Sequence, residues 1–326
     1  MTSHAQHRAL VVADVGGTNA RFALATPEGA AFGLSQISNY HCGSAQGLGE
    51  LLCRYLRELG DVRPERACLA IAGPNDGRQG FVTNLGWQAD AEVLAREAGL
   101  AQVLLANDFA ALASAAPALD ESATRLLKPG TARADGPISV LGPGTGLGVA
   151  LVVPHRGGYT TVSTEGGHMG FAPVTPAEIA LCAHVRGQLP HVSIESLLCG
   201  AGLTRIHGFV SGNAGLPAPE VSARALAGTD AHCVEAVQMF IGILGSVAGD
   251  VALVHGATGG VMIGGGILPR LVPLLSGSSF CERFLAKEPM RALLEKMPVR
   301  LITAEHVALH GAAALYWQLR RNTTTA

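Results

Sequence analysis

Two segments of this chain follow one plan: a buried apolar strand, a glycine-rich turn, and a second strand running back from it. Residues 9–24 read ALVVADVGGTNARFAL and residues 138–152 read ISVLGPGTGLGVALV, with Thr18 and Thr145 at matching points. Glycine reaches positive φ and leaves backbone amides bare, so such a turn forms an anion-binding concavity. A P-loop needs a lysine and a hydroxyl residue after its last glycine, and neither turn has that lysine. A dinucleotide fingerprint leads into a helix, whereas both turns here return to a strand. Taken singly, each hairpin also reads as an ordinary tight turn. As a pair, one in each half of the chain, they suit a nucleotide clamped between two lobes.

The surrounding pattern is α/β. Strands are expected at residues 8–15, 21–25, 31–38, 67–72 and 103–106, with helices at 47–59, at 90–98 and directly after Asn107 and Asp108. Periodicity then lapses from Pro117 to Ile138. A second set of strands follows at 138–141, 148–153 and 159–163, helices dominate from Thr175 to Val254, and strands at 261–264 and 299–303 precede a closing helix at 308–320. This predicts a small α/β domain of residues 1–117 plus 304–326 and a larger α+β domain of residues 118–303. The stretch 236–254 approaches membrane-span length with Asp250 as its one charge. Its glycine and serine positions, the polar Gln238 and the lack of flanking cations make it a buried helix instead.

Composition removes several classes. A chain of 326 residues exceeds what one core commonly serves, and 48% apolar content is too high for disorder. Its 42 glycines have no Gly-X-Y period, which excludes collagen. The balance of 23 basic and 25 acidic residues, with no basic run, argues against nucleic acid as a partner. Seven scattered cysteines without a Cys-x-x-Cys spacing point to free thiols in a reducing compartment. The first residues do not read as a signal peptide. A soluble, cytoplasmic protein with no membrane partner is the expectation.

Few residues could do chemistry. Asp14 ends a buried strand beside the first glycine pair, where a carboxylate needs something to offset its charge. Mg²⁺ held through water would do so, and a capped turn aspartate is the other reading. Asn107 and Asp108 stand where an apolar strand meets a helix, the edge at which α/β lobes bind ligands. An aspartate there can take a hydroxyl proton during phosphoryl transfer, or simply cap the helix. Glu165-Gly-Gly-His168 follows a strand and could present carboxylate and imidazole to one polar ligand; a lone histidine is also often structural. Glu195 opens a helix, where an acid also favours the helix dipole. Several carboxylates together suit a polyol, since each accepts two or more hydroxyl hydrogen bonds.

Asp14-Val-Gly-Gly-Thr-Asn-Ala-Arg21, Ala106-Asn-Asp-Phe109, Gly142-x-Gly-Thr-Gly-Leu-Gly148, Glu165-Gly-Gly-His168 and Gly264-Gly-Gly266 occur in an order that resembles the proteobacterial ATP-dependent glucokinases. The resemblance covers almost the whole chain. It implies a two-lobed actin-like ATPase (ribonuclease H-like) fold with a central cleft, forming a homodimer. It implies that Ala13, Asp14, Val15, Gly16, Gly17 and Thr18, with Gly142, Gly144, Thr145 and Gly146, hold ATP phosphates, while Gly264, Gly265 and Gly266 lie near the adenosine. Asn107, Asp108, Glu165, His168 and Glu195 would grip glucose, with Asp108 as the base toward its 6-hydroxyl and Mg²⁺ as the accompanying ion. Two departures stand out: the family often follows its sugar-binding glutamate with arginine and later Ser-Gly, where this chain has Ser196 and Cys199-Gly200. A kinase for another hexose, or a silent sensor of ATP and sugar, remain the alternatives. The second fits less well, because Asp108 is retained and too few residues precede the first strand for a DNA-binding domain.

Overall fold

The computed structural model describes residues 9–28 and 31–324. Arg8, where the first strand was expected to begin, lies outside the described residues. The chain forms two compact units, one of Met1–Leu119, His155–Ser163 and Ala304–Ala326, the other of Asp120–Pro154 and Thr164–Thr303.

The strands, in chain order, are β1 (Leu10–Val15), β2 (Asn19–Glu28), β3 (Ala31–His41), β4 (Arg66–Ile71), β5 (Gln79–Val82), β6 (Trp87–Asp90), β7 (Gln102–Asn107), β8 (Thr124–Lys128), β9 (Ile138–Pro143), β10 (Leu147–His155), β11 (Gly158–Thr164), β12 (Gly260–Ile263) and β13 (Val299–Ile302). The first sheet runs β3-β2-β1-β4-β7, and the second runs β11-β10-β9-β12-β13-β8. Each contains one of the two glycine hairpins as an antiparallel pair, β1 with β2 and β9 with β10.

The apolar run of β1 is explained by burial on both faces. Val11, Ala13 and Val15 pack with Leu48, Leu51, Leu52, Tyr55 and Leu94 from the helices Leu48–Glu58 and Ala91–Ala98. Leu10 and Val12 point the other way, into a layer with Ala110, Ala111, Leu309, Ala312 and Tyr316. Strand alternation therefore puts Asp14 on the face of Leu10 and Val12, toward the helices Asp108–Ala115 and Val307–Thr324. Those two helices pack so closely that a Cβ at Gly311 would fall on the carbonyl of Ala111, which is why this layer is built from alanine and glycine.

In the second unit the core is organised around the helix Ala231–His255, capped by Asp230 at its start and by Gly256 at its end. Val237, Phe240, Ile241, Leu244 and Val251 are among its buried residues, so the long apolar stretch is an interior helix, as its polar interruptions indicated.

The remaining differences from expectation are short strands. Residues 118–137, expected to lack regular structure, contain β8, which pairs with β13. The hairpin of β5 and β6 was likewise unforeseen. Both consist of four- or five-residue strands without clear apolar alternation, stabilised by their partners rather than by their own pattern.

Candidate active site

Parallel pairing aligns Val15 of β1 with Ile71 of β4, and Ile71 with Asn107 of β7, so these strands end at one edge. Asp14, the Gly16-Gly17-Thr18 turn, Asn107 and Asp108 all belong to that edge. Asn107 is the helix cap here: its Oδ1 accepts from the amides of Phe109 and Ala110, both at 3.0 Å. Among the described residues its side-chain NH₂ has no hydrogen-bond partner. Asp108 is thereby released from the capping role, although one oxygen accepts from the Phe109 amide at 2.8 Å. Burial, and then the neighbouring Asp14 charge, push its carboxyl up to about 6. A carboxylate in that range is mostly ionised at neutral pH yet basic enough to accept a proton.

Burial also raises the Asp14 carboxyl, against the pull of Arg21 and His306. Arg21 faces it across the hairpin, with Nη1 at 3.6 Å from Oδ2. The strand pairing on either side of the turn could have predicted that contact. His306, held at φ 60°, comes from the far end of the chain and had no local signal. Among the described residues no cation lies within hydrogen-bond length of the Asp14 carboxyl, and a second acid, Asp108, lies within its field. That electrostatic setting fits a hard divalent cation, held directly or through water.

The second unit assembles a different set. Glu195 Oε2 accepts from the Leu147 amide at 2.7 Å, and its own amide donates to the Gly167 carbonyl at 2.8 Å. A Cβ on Gly146 would lie 2.5 Å from Glu195 Oε2, so the turn stays bare for this carboxylate to reach it. His168 sits between two acids, with Nε2 3.8 Å from Glu165 Oε2 and Nδ1 3.9 Å from Glu195 Oε1. These separations exceed hydrogen-bond length, so the Glu165 carboxylate, the Oε1 atom of Glu195 and the imidazole are not spent on one another and can engage hydroxyl groups. Glu165, His168 and Glu195 are thus brought together, next to the turn that carries Gly144, Thr145 and Gly146.

The third glycine cluster joins the same neighbourhood. Gly264 donates its amide to the Leu141 carbonyl at 2.8 Å, and Gly265, at φ +82°, leaves no room for a Cβ, which would fall 2.4 Å from the Pro143 carbonyl. Backbone therefore lies directly against the Gly142 turn.

The two departures near Glu195 have structural substitutes. Ser196 closes its own turn, its hydroxyl donating to the Ser193 carbonyl at 2.6 Å, and Arg205 Nη1 donates to the Ser196 carbonyl at 2.9 Å. Cys199 caps the helix Gly200–Ser211, its Sγ accepting from the Gly202 amide at 3.3 Å. The Gly200 amide also donates to the Gly144 carbonyl at 2.9 Å, fixing this helix start to the glycine turn.

A separate group, His207, Asp230 and Cys233, places its potential ligand atoms within 4.8 Å of one another. His207 Nδ1 accepts from the Leu216 amide at 3.2 Å, which puts the ring proton on Nε2. Asp230 caps the long helix and lies 3.5 Å from Arg224 Nη1. A protonated Nε2 and an adjacent guanidinium both oppose a cation, so the group serves as a helix anchor.

Two α/β units, each built on a strand, glycine turn and strand, define the actin-like ATPase fold of sugar kinases. The family model for glucokinase matches residues 11–319. A glucokinase from Chromobacterium violaceum is 43% identical over 309 residues, covering 93% of this chain and 88% of that protein. The crystal structure of a glucokinase from an Antarctic psychrotroph superposes with a TM-score of 0.86 at 38% identity, covering 95% of this chain and 99% of that one. A ROK family glucokinase from Streptomyces griseus, solved in complex with glucose and AMPPNP, shares the fold at 18% identity and a TM-score of 0.63, covering 95% of this chain and 99% of that one. The chain belongs to the glucokinase family.

Proposed function

We propose that this protein transfers the γ-phosphoryl group of ATP to the 6-hydroxyl of glucose, giving glucose 6-phosphate and ADP, with Asp108 as the base. The observation that carries the assignment is the state of Asp108: a carboxyl at the strand edge, freed from capping by Asn107 and raised to about 6 by burial and by Asp14. The hydroxyl oxygen forms the new bond to phosphorus, the bond from the γ-phosphorus to the β–γ bridging oxygen breaks, and the hydroxyl proton passes to Asp108. Positioning and charge stabilisation supply most of the catalysis in such transfers. The Gly16-Gly17 and Gly142–Gly148 turns would hold the phosphates with the amides they have left, since Gly16 and Gly144 donate theirs to the Asn19 and Gly146 carbonyls. Glu165, His168, Glu195 and the Asn107 amide would orient the sugar hydroxyls. Asp14 would hold Mg²⁺, directly or through water. When bound, that ion neutralises phosphate charge.

Two further properties belong to the same reading. Seven cysteines, all unpaired, suit a cytoplasmic setting. Val174 and Ile179, each 57% exposed, offer apolar surface suited to a second copy of the chain in a homodimer.

ADP release measured with and without glucose, together with the sugar product, tests the reaction. Release that requires glucose and yields the 6-phosphate is expected. Glucose-independent release would make the protein a hydrolytic ATPase, and binding of both ligands without release would make it a sensor. Faster turnover of another hexose would move the assignment to that sugar.

A further inference from the structure

The turn between β5 and β6 lies outside every motif read from the sequence, yet backbone contacts tie it to the first glycine turn. The Ala72 amide donates to the Val15 carbonyl at 2.9 Å, and the Ala72 carbonyl accepts from the Thr83 amide at 3.2 Å. One residue thus links the end of β1 to the start of the β5–β6 turn. Gly73 adds to the fit: a Cβ there would lie 2.8 Å from Thr83 Oγ1 and nearer still to the Phe81 carbonyl. Val82 is fully buried beneath, and its carbonyl accepts from both Leu85 and Gly86 at 3.0 Å.

This frame sets Asn84 against Gly17. A Cβ on Gly17 would lie 2.8 Å from Asn84 Cβ and 3.1 Å from its Nδ2. The side chain is exposed, and among the described residues its amide has no hydrogen-bond partner. An exposed amide carried on a backbone-tied turn thus stands over Gly17, its donors unspent among the described residues. Anionic groups are already supplied nearby by Asp14, so a neutral donor suits an incoming anion better than another carboxylate.

We propose that Asn84 is a further phosphoryl-binding residue, its side-chain NH₂ donating to an oxygen of the γ-phosphoryl group held at Gly17. The inference rests on the phosphate-binding role proposed for that turn. The γ-group is favoured over the β-group because the turn after Val15 and the proposed base Asp108, after Asn107, stand at one strand edge, where Val15 aligns with Ile71 and Ile71 with Asn107. Asn84 would hold the group in line as it leaves ATP and would have no partner left to hold on ADP.

The test compares Asn84→Ala and Asn84→Asp with the wild-type chain, measuring equilibrium binding of AMPPNP and of ADP in the presence of magnesium, then turnover at saturating glucose. A hydrogen bond to a charged group contributes about 1.5–3 kcal/mol, equivalent to about a 10- to 100-fold change. AMPPNP binding is therefore expected to weaken by about tenfold or more in Asn84→Ala, with ADP binding within about twofold. Asn84→Asp, which adds repulsion, weakens AMPPNP further and lowers kcat while leaving KM for glucose near its wild-type value. Equal losses for AMPPNP and ADP, or none for either, overturn the proposal, because a merely structural role cannot distinguish the two nucleotides. Asn84→Ser serves as a third variant in this exposed turn should either of the others fold poorly. If wild-type chain makes no glucose 6-phosphate, the assigned reaction fails, while the AMPPNP-to-ADP comparison still decides the role of Asn84.

Discussion

At the scale of single residues, Asp108 carries opposed demands. Its carboxyl is raised to about 6, so between the ordinary carboxylate range and that pH the folded chain binds a proton that the unfolded chain has released. Stability attributable to this group therefore falls as pH rises through that window, and above it the fold bears an unfavourable charge. Asp108→Asn removes the charge and keeps the shape. The variant is expected to lose at least about 10²-fold in kcat while melting at a higher temperature than wild type at pH 7.5. The base must be ionised, so kcat/KM of the wild type should fall about tenfold per pH unit below about 6. Retained turnover in Asp108→Asn, or a flat profile down to pH 5, would remove Asp108 from the role of base. The position of this residue was legible because an apolar strand ending in two polar residues marks a sheet edge. Its release from helix capping was not, since Asn107 and Asp108 are equally good caps and only the folded geometry chooses between them.

At the scale of elements, the sequence was most informative where burial imposes a period. β1, β4 and β7 are continuous apolar runs because their residues are buried on both faces, and the helix Leu48–Glu58 shows its leucines on one stripe. The β5–β6 hairpin was invisible for the opposite reason: Gly80, Gln79 and Gln88 give no alternation, and the pair is held by contacts with Ala72 and Pro74. Asn84 was missed with it, as its neighbour Gly17 lies far away along the chain. Long-range pairing also joins helices in the second unit. Arg283, in the helix Phe280–Leu285, donates to both oxygens of Glu178, at 2.7 and 3.0 Å, while Glu178 closes the capping box of the helix Pro176–Arg186. Both side chains are largely buried, so removing one partner strands the other charge. Arg283→Met is expected to destabilise the fold by about 3–5 kcal/mol in denaturant titration of the second unit's signal. A loss below about 1 kcal/mol would show the pair to be a solvated surface contact instead.

At the scale of the whole molecule, the helix Ala231–His255 tests whether an apolar span is a membrane anchor or a core. It is the one described helix long and apolar enough to cross a bilayer, and most of it is buried inside the protein. Asp250 within it pairs with Lys287 Nζ at 2.7 Å, and Lys287 also donates to Ser246. An ion pair made with the loop that follows the helix Phe280–Leu285 belongs to a protein interior reached by water, since lipid would penalise an accessible charge at that depth. Most of the helix's apolar surface is spent on Leu203, Val221 and Phe284 from other helices, with Val254 near its end exposed. The chain should therefore remain in detergent-free solution. Light scattering should give a mass of twice 33.4 kDa if the exposed Val174 and Ile179 pack in a homodimer. A mass of 33.4 kDa would dismiss the dimer, and co-flotation with neutral lipid vesicles would dismiss the reading of the helix as core. Val174→Asp combined with Ile179→Asp separates the two ideas further. Exposed substitutions of this kind leave the core intact, so the double variant should turn a dimer into a stable monomer without lowering the melting temperature of the fold at high dilution.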